Sequence, residues 1–423
     1  MLIHNAAQLI TLAGGPQRGA ALGTLGIIPD GAVLLRGGFI EAVGSSADLL
    51  RAFPHEERWD ASGSAVLPAL VDPHTHLVFA GDRAAEAEMR FQGKSYTEIQ
   101  AAGGGILSSM HSTRSASVDE LLTQARPRAR EMFRHGTATA EAKTGYGLRL
   151  DSELAMLEAI LRLDEEGPLQ LIPTFMPAHA IPPEFSGRED AYTEEICLRM
   201  LPAAKEWWQV RTSTRPLPFV DIFCETGNFS LAQTRRIFEA AKVLGFPLKV
   251  HADEFDALGG ARLAAEMGAA SADHLLVTPP EDLEFLAHSN TAAVALPCTP
   301  FGLAQTRYMD ARALIAAGGL LALATDFNPG TAWCPSQQFS IALACRAMRL
   351  APAEALAAAT INAAAAINLE NSIGSLEPGK QADLLILTLP DYRHLAYRFG
   401  GNLTRAVLKK GQMHCFQEDA HPC

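Results

Sequence analysis

The sequence predicts an α/β protein: a (β/α)8 TIM-like barrel with a small β-sandwich domain formed from both chain termini. Three observations lead there. Short β-rich runs ending in polar residues alternate with long Ala/Leu/Glu-rich stretches, the pattern of βα units and a parallel sheet. Eight such runs are present: ALVDPHTHLV, TATAEAKTGYG, LQLIPTFMPAHA, FVDIFCE, PLKVHADE, SADHLL, AAVALP and LALATDFNPG. Strand texture also recurs at the two ends of the chain, outside this alternating block.

Taken in order, residues 1–66 read as short β segments broken by turns. AAQLITL is followed by GAVLLRGGFIEAVG, where Gly37-Gly38 sits between two β-rich runs as a hairpin turn would. Residues 374–423 repeat that texture in GSLEPGKQADLLILTL and NLTRAVLKKG, so residues 1–66 plus 374–423 form one small β domain and residues 67–373 the barrel. A chain of 423 residues exceeds what one compact core usually holds, which agrees with a large domain plus a smaller one. The eight units fit the roughly 250 residues of a closed barrel better than an open doubly wound sheet, since no GxGxxG follows the first strand. The glycines at 103–105 carry no P-loop Lys and read as a loop, at best one near an active site. Residues 205–218, KEWWQVRTSTRPLP, interrupt the alternation and read as a surface excursion.

Composition excludes several function classes. Hydrophobic residues make up 48% and charged ones 19%, the balance of a folded protein. A net charge of −12 with no Lys/Arg cluster argues against a nucleic-acid partner. The seven cysteines are scattered, with no CxxC pair, which argues against a disulfide framework or structural zinc knuckle and favours reduced thiols. The N-terminus lacks the pattern of a signal peptide, and no run approaches the ~20 apolar residues of a membrane span, so a cytoplasmic location is expected.

In a parallel barrel the C-terminal strand ends open onto one face, so polar residues there converge from distant stretches of chain. His74 and His76, in VDPHTH, are two apart on a strand and share a side. Asp72 points with them if the strand is regular. His251 ends PLKV and Asp326 ends LALAT, each after apolar residues that must be buried. A buried carboxylate costs several kcal/mol unless paired or bound to a cation, which favours a metal ligand over an idle side chain. Three imidazoles and one carboxylate suit zinc or iron, with room for water. His274 in SADHLL and Glu254 in HADE are further titratable groups at the same mouth, either proton-transfer groups or hydrogen-bond partners of the ligands. Two-metal hydrolases of this architecture carry a bridging ligand, often a modified Lys, on the fourth strand. Taking FMPAHAIP as that strand, the chain has His179 there, and Lys143, assigned to the third, is expected to pair with Glu141. One metal is favoured over two.

With these residues in place, the chain resembles the imidazolonepropionase family of the amidohydrolase superfamily over nearly its whole length. The resemblance runs through LVDPHTHLVFAGDR (70–83), KTGYGL (143–148), AHAIPPEF (178–185), HADEFDALGGA (251–261), SADHLL (271–276), LPCTPFGL (296–303) and ATDFNPGT (324–331). It implies metal-dependent hydrolysis of the cyclic amide 4-imidazolone-5-propanoate to N-formimidoyl-L-glutamate in histidine degradation, with one divalent or trivalent ion, Zn or Fe. It implies His74, His76, His251 and Asp326 as metal ligands, in agreement with the reading above. Arg83, Tyr146, His179, Glu254, Asn328, Gly330 and Thr331 fall on its substrate-binding positions. Arg83 offers a planar fork of donors for a propionate carboxylate, against a surface pairing with Glu86. Glu254, His274 and Asp326 are the candidates for taking the proton of the attacking water, and His179 or the metal for stabilising an oxyanion. The chain departs from the family pattern at Ala69, Thr144 and the segment 205–218. A purine- or pyrimidine-type deaminase and a non-catalytic barrel binding protein are the competing readings, and a homodimer is the base-rate oligomer.

Overall fold

The computed structural model describes residues 1–94, 98 and 104–416. Among them the strands fall into two eight-stranded sheets. The barrel sheet runs through β6 (Leu70–Asp72), β7 (Thr137–Lys143), β8 (Gln170–Ala178), β9 (Phe219–Cys224), β10 (Leu248–Ala252), β11 (Ser271–His274), β12 (Ala292–Ala295) and β13 (Leu321–Leu323). Each strand lies beside its neighbours in sequence, and all seven pairings are parallel. Between β6 and β13 the seam is joined by a Thr75–Phe327 bridge, a His76 N–H to Phe327 carbonyl bond of 2.8 Å, and an Asp326 N–H to His74 carbonyl bond of 3.1 Å. The eight predicted runs thus supply the eight barrel strands. Counting along the sheet corrects two positions: Lys143 ends the second barrel strand and His179 follows the third.

Local sequence explains the helices that cover the barrel. The helix Val118–Arg134 starts with a reciprocal cap between Ser117 and Glu120 and buries Leu121, Leu122, Ala125, Ala129, Met132 and Phe133, an i, i+4, i+8 stripe facing the sheet. Leu231–Leu244 has the same device in Ser230 and Gln233, and ends at Gly245, whose φ of 89° is the left-handed conformation that glycine adopts without penalty. The segment 205–218 is not the expected surface excursion. Residues 205–212 continue the helix Leu201–Thr212, which buries Leu201, Ala204 and Trp208; the Trp208 indole N–H donates to the Pro216 carbonyl at 3.0 Å.

The chain ends supply a separate mixed sheet: β1 (Leu2–Ile10), β2 (Ile27–Arg36), β3 (Phe39–Ser45), β4 (Arg58–Asp60), β5 (Ala65–Pro68), β14 (Leu384–Leu387), β15 (Thr404–Lys409) and β16 (Gln412–Cys415). β5 joins the two ends, pairing with β1 on one side and β14 on the other. Gly37 and Gly38, both at positive φ, form the β2–β3 turn. The Ile40 N–H donates to Lys380 O and the Gly379 N–H to Ile40 O, so the sheet's β3 edge meets the segment leading into β14. One apolar face, including Ile3, Leu9, Val33, Val66, Leu384, Ile386 and Leu408, is enclosed. Cys197, Cys224, Cys298, Cys334 and Cys345 are free. Of the glycines at 103–105, Gly103 lies outside the described residues, and the Gly105 N–H donates to Glu86 Oε1 at 3.0 Å. No helix among the described residues is long and apolar enough to cross a membrane.

Candidate active site

Parallel register carries the chemistry to one mouth. His74 and His76 follow β6, His251 lies near the end of β10, His274 ends β11 and Asp326 follows β13. All five are buried. The Nε2 atoms of His76 and His251 face each other at 3.3 Å; Asp326 Oδ1 lies 3.4 Å from His74 Nε2 and 3.8 Å from His76 Nε2. Zinc–nitrogen bonds of about 2.0–2.1 Å at tetrahedral angles set ligand atoms about 3.3 Å apart. These spacings match, and His74 Nε2 has no hydrogen-bond partner. Buried imidazole nitrogens beside a carboxylate oxygen are a donor set of the kind that fits a divalent ion. Three overlapping groups of ligand atoms lie within 4.8 Å of one another: His74 with His251 and His274, His76 with His179 and His251, and His74 with His76 and Asp326. His74, His76 and His251 each recur in two of them.

The opposite ring nitrogens explain how the rings are aimed. His74 Nδ1 is 2.6 Å from Asp273 Oδ2, and His251 Nδ1 is 3.0 Å from Asp221 Oδ1. Such carboxylate partners fix both the tautomer and the ring direction, leaving each Nε2 for the mouth. The two carboxylates are tied to buried cations. Lys143 Nζ lies 2.6 Å from Asp221 Oδ2, 2.6 Å from Glu141 Oε1 and 3.9 Å from Asp273 Oδ2, while Lys249 Nζ is 3.6 Å from Asp273 Oδ2. The expected Lys143–Glu141 pair is present as one edge of a larger network. Asp221 and Asp273 were not singled out in the sequence; a carboxylate inside a run as apolar as FVDIFC is the signal that could have found Asp221.

Asp326 is held by the Thr299 hydroxyl, which donates to its Oδ2 at 2.5 Å, and burial pushes its carboxyl up to about 6. Its backbone, at φ 54°, and that of His274, at φ 79°, both lie in the left-handed region, at a cost of order 1–3 kcal/mol each. Asp72 does not join the histidine pair. It turns toward the last barrel strand, accepting from the Thr325 hydroxyl at 2.6 Å and the Thr325 N–H at 3.1 Å. β6 ends at Asp72 in front of Pro73, so the alternation assumed from sequence stops there.

Around this centre stand the other candidates. Glu254 Oε2 is 3.7 Å from His274 Nε2, and burial, reinforced by the Asp326 charge, holds the Glu254 carboxyl well above the usual range. Burial and the neighbouring His251 hold the His274 imidazole well below its ordinary value. His179 stacks on His76 with ring centroids 4.7 Å apart, its Nδ1 donating to the Gly145 carbonyl at 2.9 Å, and burial lowers its pKa to about 3. Tyr146 lies edge-on to His179 at 5.3 Å. The loop after Asp326 is organised by Asn328, whose amide donates to the Asp326 carbonyl and the Thr331 hydroxyl and accepts from the N–H groups of Gly330 and Thr331. Arg83 does pair with Glu86, Nε to Oε2 at 2.8 Å, but it also lines a cavity of about 470 Å³ with Thr331, Phe223 and Phe255. Glu225 in that wall was also missed; its carboxylate accepts the N–H groups of Phe255 and Asp256, fixing the turn after Glu254.

A parallel barrel with histidines and an aspartate meeting at its strand ends defines a hydrolase-type metal barrel, and comparison with known proteins makes the class explicit. Residues 65–413 match the amidohydrolase family, and the chain belongs to that family. Its relatives narrow the kinship. It is 50% identical over 412 residues to the imidazolonepropionase of Herpetosiphon aurantiacus, covering 97% of this chain and 96% of that protein. It is 51% identical over 417 residues to the imidazolonepropionase of Chloroflexus aggregans, covering 98% of each. Solved structures share the fold: a triazine hydrolase variant has a TM-score of 0.76 at 17% identity, over 97% of this chain and 94% of that one. A 5-methylcytosine deaminase from Klebsiella pneumoniae has a TM-score of 0.72 at 17% identity, over 100% and 99%.

Proposed function

We infer that this protein hydrolyses the ring amide of 4-imidazolone-5-propanoate to N-formimidoyl-L-glutamate, using one metal ion held by His74, His76, His251 and Asp326. The observation that carries the reading is the convergence at one barrel mouth of His74, His76, His251 and Asp326, with His76–His251, His74–Asp326 and His76–Asp326 atoms 3.3, 3.4 and 3.8 Å apart, beside a cavity lined by Arg83. Near-full-length kinship to imidazolonepropionases supports the substrate.

A bound Zn or Fe ion would supply Lewis acidity and a water of lowered pKa. The chain's own residues do the rest. Asp326, close to the histidine cluster and anchored by Thr299, is placed to accept a proton from the attacking water. Glu254, whose carboxyl burial holds above the usual range, is placed to return a proton to the departing ring nitrogen, with His274 at 3.7 Å as its relay. His179 donates through Nδ1 to Gly145, which leaves Nε2 an acceptor, suited to a ring N–H rather than to an oxyanion. Arg83 and the Thr331 hydroxyl receive the propionate end.

The deciding experiment is an assay of the metal-quantified protein on fresh 4-imidazolone-5-propanoate, with N-formimidoyl-L-glutamate as the product sought. Fully metallated protein that releases none of it would overturn the reading. Arg83→Ala separates this activity from deamination of a neutral base: KM for the propanoate should rise about ten- to hundredfold, as expected for losing a charged hydrogen bond.

A further inference from the structure

We propose that Arg90 is a specificity-determining residue that supplies the uncommitted guanidinium by which the mouth cavity selects a substrate bearing a carboxylate. The proposal rests on the reading above that the substrate carries its propionate into this cavity.

Arg83 caps the helix Ala84–Phe91, and Arg90 lies seven positions on, about two turns, on the same face. The two guanidiniums differ in what they already hold. Arg83 is committed to Glu86, with Nε at 2.8 Å and Nη2 at 2.6 Å from Oε2, and both side chains are largely buried, at 13% and 10% exposed. An incoming carboxylate meeting that pair alone would meet a neutral unit and compete with Glu86. Arg90 forms no ion pair among the described residues; its Nη2 donates to the Gly330 carbonyl at 2.8 Å. Arg83, Glu86 and Arg90 together carry one net positive charge on one side of the 470 Å³ cavity; Glu225 and Asp256 also line it, Glu225 being already engaged by the N–H groups of Phe255 and Asp256.

Gly330 joins the two arginines. A Cβ there would fall 2.3 Å from Arg83 Nη1, so only a bare backbone lets that guanidinium lie against the loop while Arg90 takes the loop carbonyl. Burial, followed by the neighbouring Arg83, pushes the Arg90 guanidinium below its ordinary value, as expected for two cations sharing one anion. A second carboxylate relieves that imbalance. Arg90 spends one of five N–H donors on Gly330, which leaves others for the ligand. A neutral ring gains nothing from this charge.

Arg90→Met, Arg90→Lys and Arg83→Met, each matched to the parent in metal content and circular dichroism, are compared on 4-imidazolone-5-propanoate. Inhibition by 3-(imidazol-4-yl)propanoate and by neutral 4-methylimidazole is measured alongside. Arg90→Met is expected to raise KM about tenfold or more with kcat within about twofold, and to lose the preference for the acid inhibitor, while Arg90→Lys recovers part of both. KM within twofold of the parent in Arg90→Met, together with a raised KM in Arg83→Met, overturns the proposal and leaves the substrate reading standing. A fall in kcat at constant KM in Arg90→Met also overturns it, since Arg90 would then act only by bracing the Gly330 loop. If neither arginine affects KM or inhibitor preference, the placement of the propionate falls as well.

Discussion

Lys143→Met removes one charge at nearly constant volume from the centre of the buried network. Burial opposes the charged form of Lys143, yet Asp221, Glu141 and Asp273 more than offset that cost and hold its pKa above the ordinary value. Without the ammonium, Glu141 and Asp221, each 2.6 Å from Nζ and fully buried, lose their cation together. Lys249, 3.6 Å from Asp273, pairs with that carboxylate and reaches Glu141 only through its field. Removing one partner of a buried ion pair costs about 3–5 kcal/mol, and two uncovered carboxylates place this variant in the upper part of that range. Asp221 also orients His251, so a disturbed partner should weaken metal binding about 10–100-fold. Urea unfolding of the metal-loaded protein and competition with a chelator read the two effects separately. Combining Lys143→Met with Asp221→Asn should cost less than the two single changes summed, because the second change removes a charge that the first left unpaired. Stability within about 1 kcal/mol of the parent, with unchanged chelator competition, would refute the reasoning.

Three other outcomes are expected. His251→Ala should purify with little bound metal and no turnover, whereas full metal content by elemental analysis would remove His251 from the ligand set. Trp208→Ala should destabilise the protein by about 3–5 kcal/mol in denaturant titration, since a buried indole and its bond to Pro216 are both lost. Burial holds the His135 imidazole below its ordinary value, so below about pH 6.5 the unfolded chain takes up a proton that the folded chain resists. Stability should therefore fall as the pH drops through that window, and His135→Gln should show a shallower fall between pH 7.5 and 5.5; parallel curves would contradict this.

The barrel was readable because most strands are short apolar runs closed by a polar group, and the same feature exposed His74, His76, His251 and Asp326. What lay behind them was not. Asp221 lies 78 positions from Lys143, and only the β7–β8–β9 register brings the two within 2.6 Å. Asp273 was in view inside SADHLL but was overshadowed by its neighbour His274. The helix over 205–212 was hidden by its polar surface and the prolines that follow, although Leu201, Ala204 and Trp208 already stand at i, i+3 and i+7. Asp72 misled because a two-residue periodicity was carried past the point where Pro73 ends the strand.

The pairing of β5 with β14 ties Pro68 to Leu384, roughly 300 residues apart along the chain. On a ribosome adding about 5–20 residues per second, β5 would wait roughly 15–60 s for its later partner to emerge. During that wait the β5 edge is a bare row of amide and carbonyl groups, open to adventitious strand pairing. Expression at lower temperature or with holdase chaperones should therefore raise soluble yield, and a circular permutant that synthesises β14–β16 ahead of β1 should need that help less.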